Sequence, residues 1–588
     1  MQFHKMRILL SSITIILSIG FLFPITAFAA HLITITPTSP FPSEVAASSI
    51  TTATYTVTNR ASKISLTVID QTRFPSGSGL SILSSTCGTL LSPGQSCVLT
   101  LQLQAPPTPQ TISFELREWA KPSADGVRLP IVITIQESPT LLVAAGQDLT
   151  SSQPPLLAIS TSGGSTWKGE TITNLPPSGS FNGASCTGSG ASAICTVAGF
   201  QFTNNITIPF LVVTVNGGKT WEIKPIANSP TSGFFSAASC TGNGAGAICI
   251  AAGLNGISGQ PPLLVASTDG GNTWGVKNIA NLPTSGFFNA ASCTGNGVSA
   301  ICTAAGLNAS GLFPPLLAVS TDGGNTWGVE NIVNLPTSGI FNGTSCTGSG
   351  ANAICTAVGQ DLSSLTNQPP LLVISTNGGN TWGVKTIPNS PTSGVFNAIS
   401  CTGSGIEAIC TAVGQDLSSL INQPPLLAVS TDGGITWGVK NISNLPTSGV
   451  FNAVSCTGGN GANAICTAAG QDLSSLINQP PFLAVSMNGG NTWEIKNITD
   501  LPLSGVFKAA SCTSSNSVAI CIAAGQDLTG DQPPLLVVSI DSGNTWAIKT
   551  IAHFTLSGIF NGTGATGGVL GSFFPNLMVW IHHFKYTS

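Results

Sequence analysis

The sequence predicts an all-β chain: a ring of eight four-stranded sheets preceded by a small β-sandwich. Three observations carry this. From about residue 140 a unit of 53 to 56 residues recurs, so the chain is a repeat array and not one oversized domain. Each unit holds two hairpins of short apolar strands separated by Gly, Asn, Asp and Ser turns. The half-unit missing at the start of the array turns up at its far end.

The first residues set the compartment. His4, Lys5 and Arg7 precede an apolar run from Ile8 to Phe23, and Ala27-Phe28-Ala29 offers a small-x-small cleavage pattern. This reads as a signal peptide over 1–29. A retained anchor is the alternative, but the run is short for a bilayer. No later stretch is long and apolar enough to span, so no membrane span is expected after cleavage. The expected location is secreted, extracellular or at the cell surface, with the periplasm left open.

Composition narrows the function classes. The formal charge is −4 and charged residues make up 7% of the chain, which excludes the basic footprint of a nucleic-acid binder. Hydrophobic content of 42% argues against disorder. The sixteen cysteines fall in pairs, and an exported chain can oxidise them.

Residues 30–137 read as a separate sandwich. Ile33-Thr34-Ile35-Thr36 alternates, as do Ala53, Tyr55 and Val57 between threonines, then Ser65–Ile69, Cys97–Leu101, Ile112–Leu116 and Leu129–Ile135. Cys87 and Cys97 flank the turn Leu91-Ser92-Pro93-Gly94 and are expected to pair. The segment loosely resembles immunoglobulin-like modules of exported bacterial proteins. That likeness names no ligand and fits a spacer or an adhesive module.

The marker of the repeat is Ser-x-Asp-Gly-Gly-x-Thr-Trp, seen at Ser267–Trp274, Ser320–Trp327 and Ser430–Trp437. Variants end at Trp167, Trp221, Trp382, Trp493 and Trp546. The acidic position is Asp269, Asp322, Asp432 and Asp541, but Asn216, Asn377, Asn488 and Ser162 in the other copies. Asp or Asn bonds back to the turn backbone, two glycines take dihedrals other residues avoid, and Trp supplies apolar area between units. Because Asn and Ser substitute for Asp within one chain, a turn role is favoured over a metal ligand or catalytic acid. No metal and no cofactor are expected.

The other half of the unit, for example Phe288–Cys293, Thr294–Gly297 and Ala300–Gly306, is a second hairpin with one cysteine on each strand. The expected pairs are Cys186 with Cys195, Cys240 with Cys249, Cys293 with Cys302, Cys346 with Cys355, Cys401 with Cys410, Cys456 with Cys466 and Cys512 with Cys521. Cross-strand neighbours lie within disulfide reach. A zinc reading would need ligands from several units, and the repeats lack histidine apart from His553.

Two hairpins make a four-stranded propeller blade; the rival geometry is an open solenoid. The ends favour closure. Leu141–Asp148 is a second strand without its first, and Ser557–Thr563 resembles Ser338–Thr344, which places the closing strand near 557–565. The two cysteine positions of this split blade align with Leu142 and Ala565, so both cysteines are absent together. The propeller is assigned to 138–572. The apolar tail 573–588 could cap one face or dock on the first domain.

The marker resembles the BNR/Asp-box repeats of bacterial neuraminidases, which also occur in sortilin-type receptors, photosystem assembly factors and several glycosidases. The resemblance implies an Asp-box β-propeller of eight four-stranded blades after an immunoglobulin-like β-sandwich. It does not carry over an active site. Sialidases surround the sugar carboxylate with three arginines and attack with a tyrosine, whereas no arginine follows Arg128, and the tyrosines are Tyr55 and Tyr586. No catalytic residue is therefore assigned.

Asp148, Asp361, Asp416, Asp472 and Asp527 recur in Gly-Gln-Asp-Leu copies. Residues at equal radius on successive blades do not easily form one asymmetric acid/base pair. They are read as loop residues or, with Asn367 and Gln368, as a multivalent ligand-face rim. The expected function is non-enzymatic binding or adhesion toward an unknown polysaccharide or protein. A divergent extracellular glycoside hydrolase is the alternative. Non-reducing peptide mapping should recover seven intra-hairpin cystines in the array; scrambled or absent pairs would break the assignment of strands.

Overall fold

The computed structural model describes residues 31–572, except 47–49, 106–109, 123–124, 137–139, 151, 258, 516–517, 553, 555–556 and 567–570. The expected signal peptide and the apolar tail lie outside the described residues. The chain divides into two compact units, Met1–Gln136 and Glu137–Ser588. Among the described residues there are ten sheets, each of four or five strands.

The first unit contains two sheets. One orders Ile33–Ser39, Ile50–Asn59, Ser96–Gln104 and Leu80–Ser85; the other orders Glu44–Ala46, Asp125–Gln136, Gln110–Lys121, Leu66–Asp70 and Leu90–Leu91. Period-two patterning drives this: Tyr55, Leu99, Leu101, Leu103, Ile112 and Leu116 form one core while alternate positions face out. The strand Leu80–Ser85, largely exposed, was not among the sequence expectations. Cys87 and Cys97 form a disulfide with Cα atoms 5.1 Å apart.

One residue breaks the apolar pattern. Glu118 is 1% exposed, and neither carboxyl oxygen has a hydrogen-bond partner. Burial, then the carboxylate of Asp70 directly opposite in the ladder, pushes its pKa up to about 8.

The second unit contains eight sheets. In the third, for example, the order from the inner edge is Gly233–Thr241, Ile248–Asn255, Pro262–Ser267 and Trp274–Val276. Each inner strand packs on the inner strand of the next sheet. The last, Gly505–Ser515, packs on Gly558–Ala565, which in turn packs on Gly179–Thr187. Gly558–Ala565 is the inner strand of the first sheet, paired with Leu142–Asp148 from the other end of the unit, Leu142 opposite Ala565. The sheets therefore form a closed, propeller-like cycle.

Apolar side chains fill the space between sheets. Ile250, Ala252 and Leu264 of one sheet meet Phe288, the Cys293–Cys302 cystine and Trp327 of the next. The phenylalanine of every inner strand, from Phe181 to Phe560, is fully buried. Each such side chain contributes roughly 1.5–3 kcal/mol of transfer free energy.

A bulge follows each phenylalanine. The register shifts between Phe288 and Ala290, so Asn289 stands outside the ladder. Across from it sits Gly306, where any Cβ would collide with the Phe287 carbonyl. That close approach explains the glycine in each second strand. The bulged asparagine is freed to bond sideways: Asn289 Nδ2 donates to the carbonyl of Phe341 in the next sheet at 3.0 Å. Asn182, Asn342, Asn397 and Asn452 do the same, and Asn561 joins the first sheet to Phe181 of the second; Ser236 and Lys508 hold this position in the third and eighth sheets.

The sequence reading of four strands per unit falls short at several edges. Ile226–Ala227, Ile279–Ala280 and Ile551–Ala552 each add a parallel outer strand to the following sheet. The last of these reaches the first sheet, giving the closure a second hydrogen-bonded contact. Two residues, Gly571–Ser572, add to the inner edge of the eighth sheet.

The buried acid gives a test. The folded pKa of Glu118 lies above its unfolded value near 4.5. Its contribution is complete below pH 4.5 and is lost as pH rises through about 8. The calorimetric transition of the first unit should move down between pH 5 and 8.5, and Glu118→Gln should flatten that slope. An unchanged slope would show that Glu118 is not the titrating group.

Candidate functional site

Two faces of the cycle carry the residues singled out from the sequence. The marker turns share one face with the hairpin turns between first and second strands: Gly270 N–H donates to the Ala247 carbonyl of its own sheet at 3.0 Å. The loops between second and third strands lie at the other end of the strands.

At the marker turn, Ser267 Oγ donates to Asp269 Oδ1 at 2.8 Å and accepts from Gly271 N–H at 2.9 Å. Asp269 Oδ1 also accepts from Thr273 N–H at 2.9 Å, and Oδ2 accepts from Thr273 Oγ1 at 2.6 Å. Asp322, Asp432 and Asp541 repeat this arrangement. Partial burial pushes these carboxyls up, but the bonds from threonine and serine outweigh it and hold all four below the ordinary aspartate value. Both oxygens of each are engaged in the turn.

The substituted copies keep the same closure. Asn377 Oδ1 accepts from Thr381 N–H at 3.0 Å while its Nδ2 donates to Thr381 Oγ1 at 2.8 Å. Asn216 and Asn488 match it, and Ser162 Oγ accepts from Thr166 N–H at 2.9 Å. The first glycine has φ near +74° at Gly270, and a Cβ there would strike the Gly244 carbonyl. Trp274 Nε1 donates to the Gly271 carbonyl at 3.1 Å. Trp167, Trp327, Trp382, Trp437, Trp493 and Trp546 bond likewise, whereas buried Trp221 Nε1 has no partner.

On the opposite face, Asp361, Asp416 and Asp472 each accept from the N–H two residues on at 2.8 Å. Asp148 does so from Thr150, and Asp527 from Thr529. Asn255 and Asn308 hold the equivalent turns in two other sheets. These carboxylates therefore close local turns, one per sheet, and do not converge as a pair. The Gln368 carbonyl accepts from Gly394 N–H of the next sheet at 2.8 Å, and Asn367 is exposed.

What the sequence reading passed over is the loop tips. Leu365, Leu420 and Leu476 are 98%, 99% and 98% exposed, and Ile421 and Ile477 are each 84% exposed. They stand on three successive sheets in near-identical loops, 360–368, 415–423 and 471–479. The signal was readable as a leucine, followed by isoleucine in two of the three loops, in a mostly polar turn.

Seven cystines of the unit join first and second strands. Cys186 bonds to Cys195, Cys240 to Cys249, Cys293 to Cys302 and Cys346 to Cys355. Cys401 bonds to Cys410, Cys456 to Cys466 and Cys512 to Cys521. In every case the two cysteines stand directly opposite each other in the ladder, with Cα separations of 4.0–4.1 Å. All fourteen sulfurs are thereby used in local pairs and none is available as a thiolate ligand. Among the described residues no group of three or more His, Cys, Asp or Glu could hold a metal ion. No described helix is long and apolar enough to cross a membrane.

No protein-family model matches the chain, and no curated protein matches it. Among solved structures, it is similar to YCF48 bound to a D1 peptide at 14% identity and a TM-score of 0.35, over 62% of this chain and 94% of that one. It is also similar to the Hadza microbial sialidase Hz136 at 9% identity and a TM-score of 0.26, over 70% of this chain and 78% of that one. Both likenesses are distant and partial.

The turn geometry makes a graded prediction. Asp432→Ala removes the carboxylate's bonds with Ser430 and Thr436 and should cost about 1–2 kcal/mol. Asp432→Asn should cost far less, because Asn377 closes the same turn. Denaturant titration reads the difference; equal losses would mean that charge, not turn closure, matters.

Proposed function

We propose that this chain is an exported, non-enzymatic binding protein: a signal peptide over 1–29, an immunoglobulin-like sandwich over 30–137 and an eight-bladed Asp-box propeller over 138–572. The face with the second-to-third-strand loops contacts a partner protein at a cell surface or in the extracellular space. The observation that carries this reading is the set of fully exposed Leu and Ile tips on three successive sheets. Five bare aliphatic side chains on a rigid scaffold cost solubility unless something covers them.

The choice of a protein over a glycan rests on chemistry. Sugar rings favour aromatic platforms and convergent hydrogen-bond donors. The repeats instead reserve their tryptophans for the marker turns, and their loop aspartates for turn closure. Aliphatic tips with acidic turns below them suit a protein surface with apolar pockets and a basic rim. Three similar loops add avidity if the partner is repetitive.

The test uses mature protein on arrays of extracellular proteins and polysaccharides. A saturable protein hit should weaken about tenfold or more in Leu420→Asp/Leu476→Asp, whose tips are solvent-exposed and should leave the melting temperature unchanged. No saturable hit, or a hit indifferent to both tips, would remove the reading. Glycoside turnover abolished by a single loop aspartate substitution would replace it with hydrolysis.

A further inference from the structure

The sixth sheet departs from the repeat at two adjoining places on the marker face. Ile435 stands where five other copies have an asparagine: Asn272, Asn325, Asn380, Asn491 and Asn544. Each of those donates Nδ2 to the backbone carbonyl three residues before it, a bond that Ile435 gives up. In the turn between first and second strands, Ile406 replaces the alanine of four other copies, Ala191, Ala245, Ala351 and Ala462. Ile406 lies against the marker turn, its Cα 3.1 Å from where a Cβ on Gly433 would stand. Ile406 is 74% exposed and Ile435 55%. They border an open groove of about 480 Å³ between the fifth and sixth sheets, lined also by Ile354, Asn352, Thr376 and Ser404.

We infer that this groove receives the loop tip Leu420-Ile421 of a second copy of the chain, so that rings stack head to tail. The inference rests on the reading of the loop tips as a contact surface and names their partner. Groove and tip belong to one sheet but lie at opposite ends of its second strand, Ile409–Asp416, about 25 Å apart at the rise of a strand. A tip therefore reaches a groove only on another molecule.

The two surfaces match chemically. The tip holds two branched aliphatics between Ser419 and Asn422, and the groove holds its isoleucines among hydroxyl and amide side chains. Neither the loop 415–423 nor the groove lining contains Lys or Arg, so an anionic ligand finds no cation there. Asp432, also in the lining, has both carboxylate oxygens engaged in its own turn. Apolar burial, not charge, joins such faces. The tip is also held in shape. Ser419 Oγ accepts from the N–H groups of Ile421 and Asn422 at 3.2 Å each, so little freedom is lost on docking. The groove offers the apolar pocket of the binding reading without its basic rim, so added salt should not loosen the stack. Contact between unlike faces has no closed pair as its end point, and stacking continues as concentration rises.

The experiment follows the mass of the full mature chain by sedimentation over a concentration series. The wild-type mass should climb past that of a dimer without a plateau. Ile406→Ala/Ile435→Asn puts back the residues of other copies, so the ring should melt at the wild-type temperature while association weakens about tenfold or more. Leu420→Asp/Leu476→Asp should weaken it as much from the other face. Mixed in equal amounts, the two variants each keep one intact face and should form pairs that grow no further. A wild-type chain that stays monomeric, or stops at a dimer, overturns the stack. If an array protein still binds through the tips, the binding reading outlives that result; if none does, both fall. Association that either variant leaves unchanged, or that the mixture fails to restore, also overturns the stack.

Discussion

Neighbouring sheets in this ring share no backbone ladder between their inner strands, so the cycle depends on side chains of one inner strand bonding to the backbone of the next. Three kinds of bond do this. A bulged asparagine donates to the neighbour's phenylalanine carbonyl. A serine accepts the neighbour's cysteine N–H, as Ser239 does from Cys293 at 2.9 Å. A threonine donates to the glycine carbonyl of the neighbour's turn, as Thr294 does to Gly348 at 2.6 Å. The motif Phe-Asn-x-x-Ser-Cys-Thr-Gly is thus the seam between sheets written into sequence. Unpaired, these buried groups would each cost about 1–3 kcal/mol, so the bonds specify one spacing and one register more than they add net stability.

The seam where the chain closes is built differently. Ser511, at the serine position of the eighth sheet, has no partner for its buried hydroxyl, and neither has Thr563 on the closing strand. Other contacts replace them: Thr513 Oγ1 donates to the Thr566 carbonyl, and Thr566 exchanges bonds with Leu141 through its N–H and hydroxyl. The closing sheet also lacks the cystine of the other seven. A hairpin with a cystine is held covalently at its turn, whereas Leu142–Asp148 and Gly558–Ala565 have no turn between them. What joins them is a ladder whose loss would release both ends of the unit, a topological constraint standing in for a covalent one.

Much of this was legible because the repeat states each rule eight times. The marker turn could be read from one copy, but only the Asn and Ser copies distinguish turn closure from chemistry. The cystines could be read because the spacing of Cys186 and Cys195 returns in hairpin after hairpin. The split sheet could be read because Leu141–Asp148 has no partner nearby and Ser557–Thr563 has no other use. What escaped were features that depend on three dimensions. The asparagine after Phe288 looks like any polar residue in a strand until the bulge turns it sideways. The two-residue outer strands, such as Ile226–Ala227, carry no periodic signal at all. Glu118 sits at a core-facing position of an alternating strand, which the pattern does flag, but burial decides what that means for its charge.

Near-perfect repetition also limits where function can lie. Eight equivalent positions present the same group at the same radius, which suits structure and avidity but not a reaction needing one acid and one base in unlike surroundings. Distinct behaviour must come from positions where the repeat is broken. Such breaks include serine at 236 and lysine at 508 in the asparagine series and the long aliphatic-tipped loops confined to three successive sheets. The six asparagines span their own seams, and the seams at Ser236 and Lys508 do without that bond. Lys508 is the more telling. Partly buried, it carries a desolvation penalty that the asparagine of the other copies avoids, and it lies beside the edge on which Gly571–Ser572 pairs.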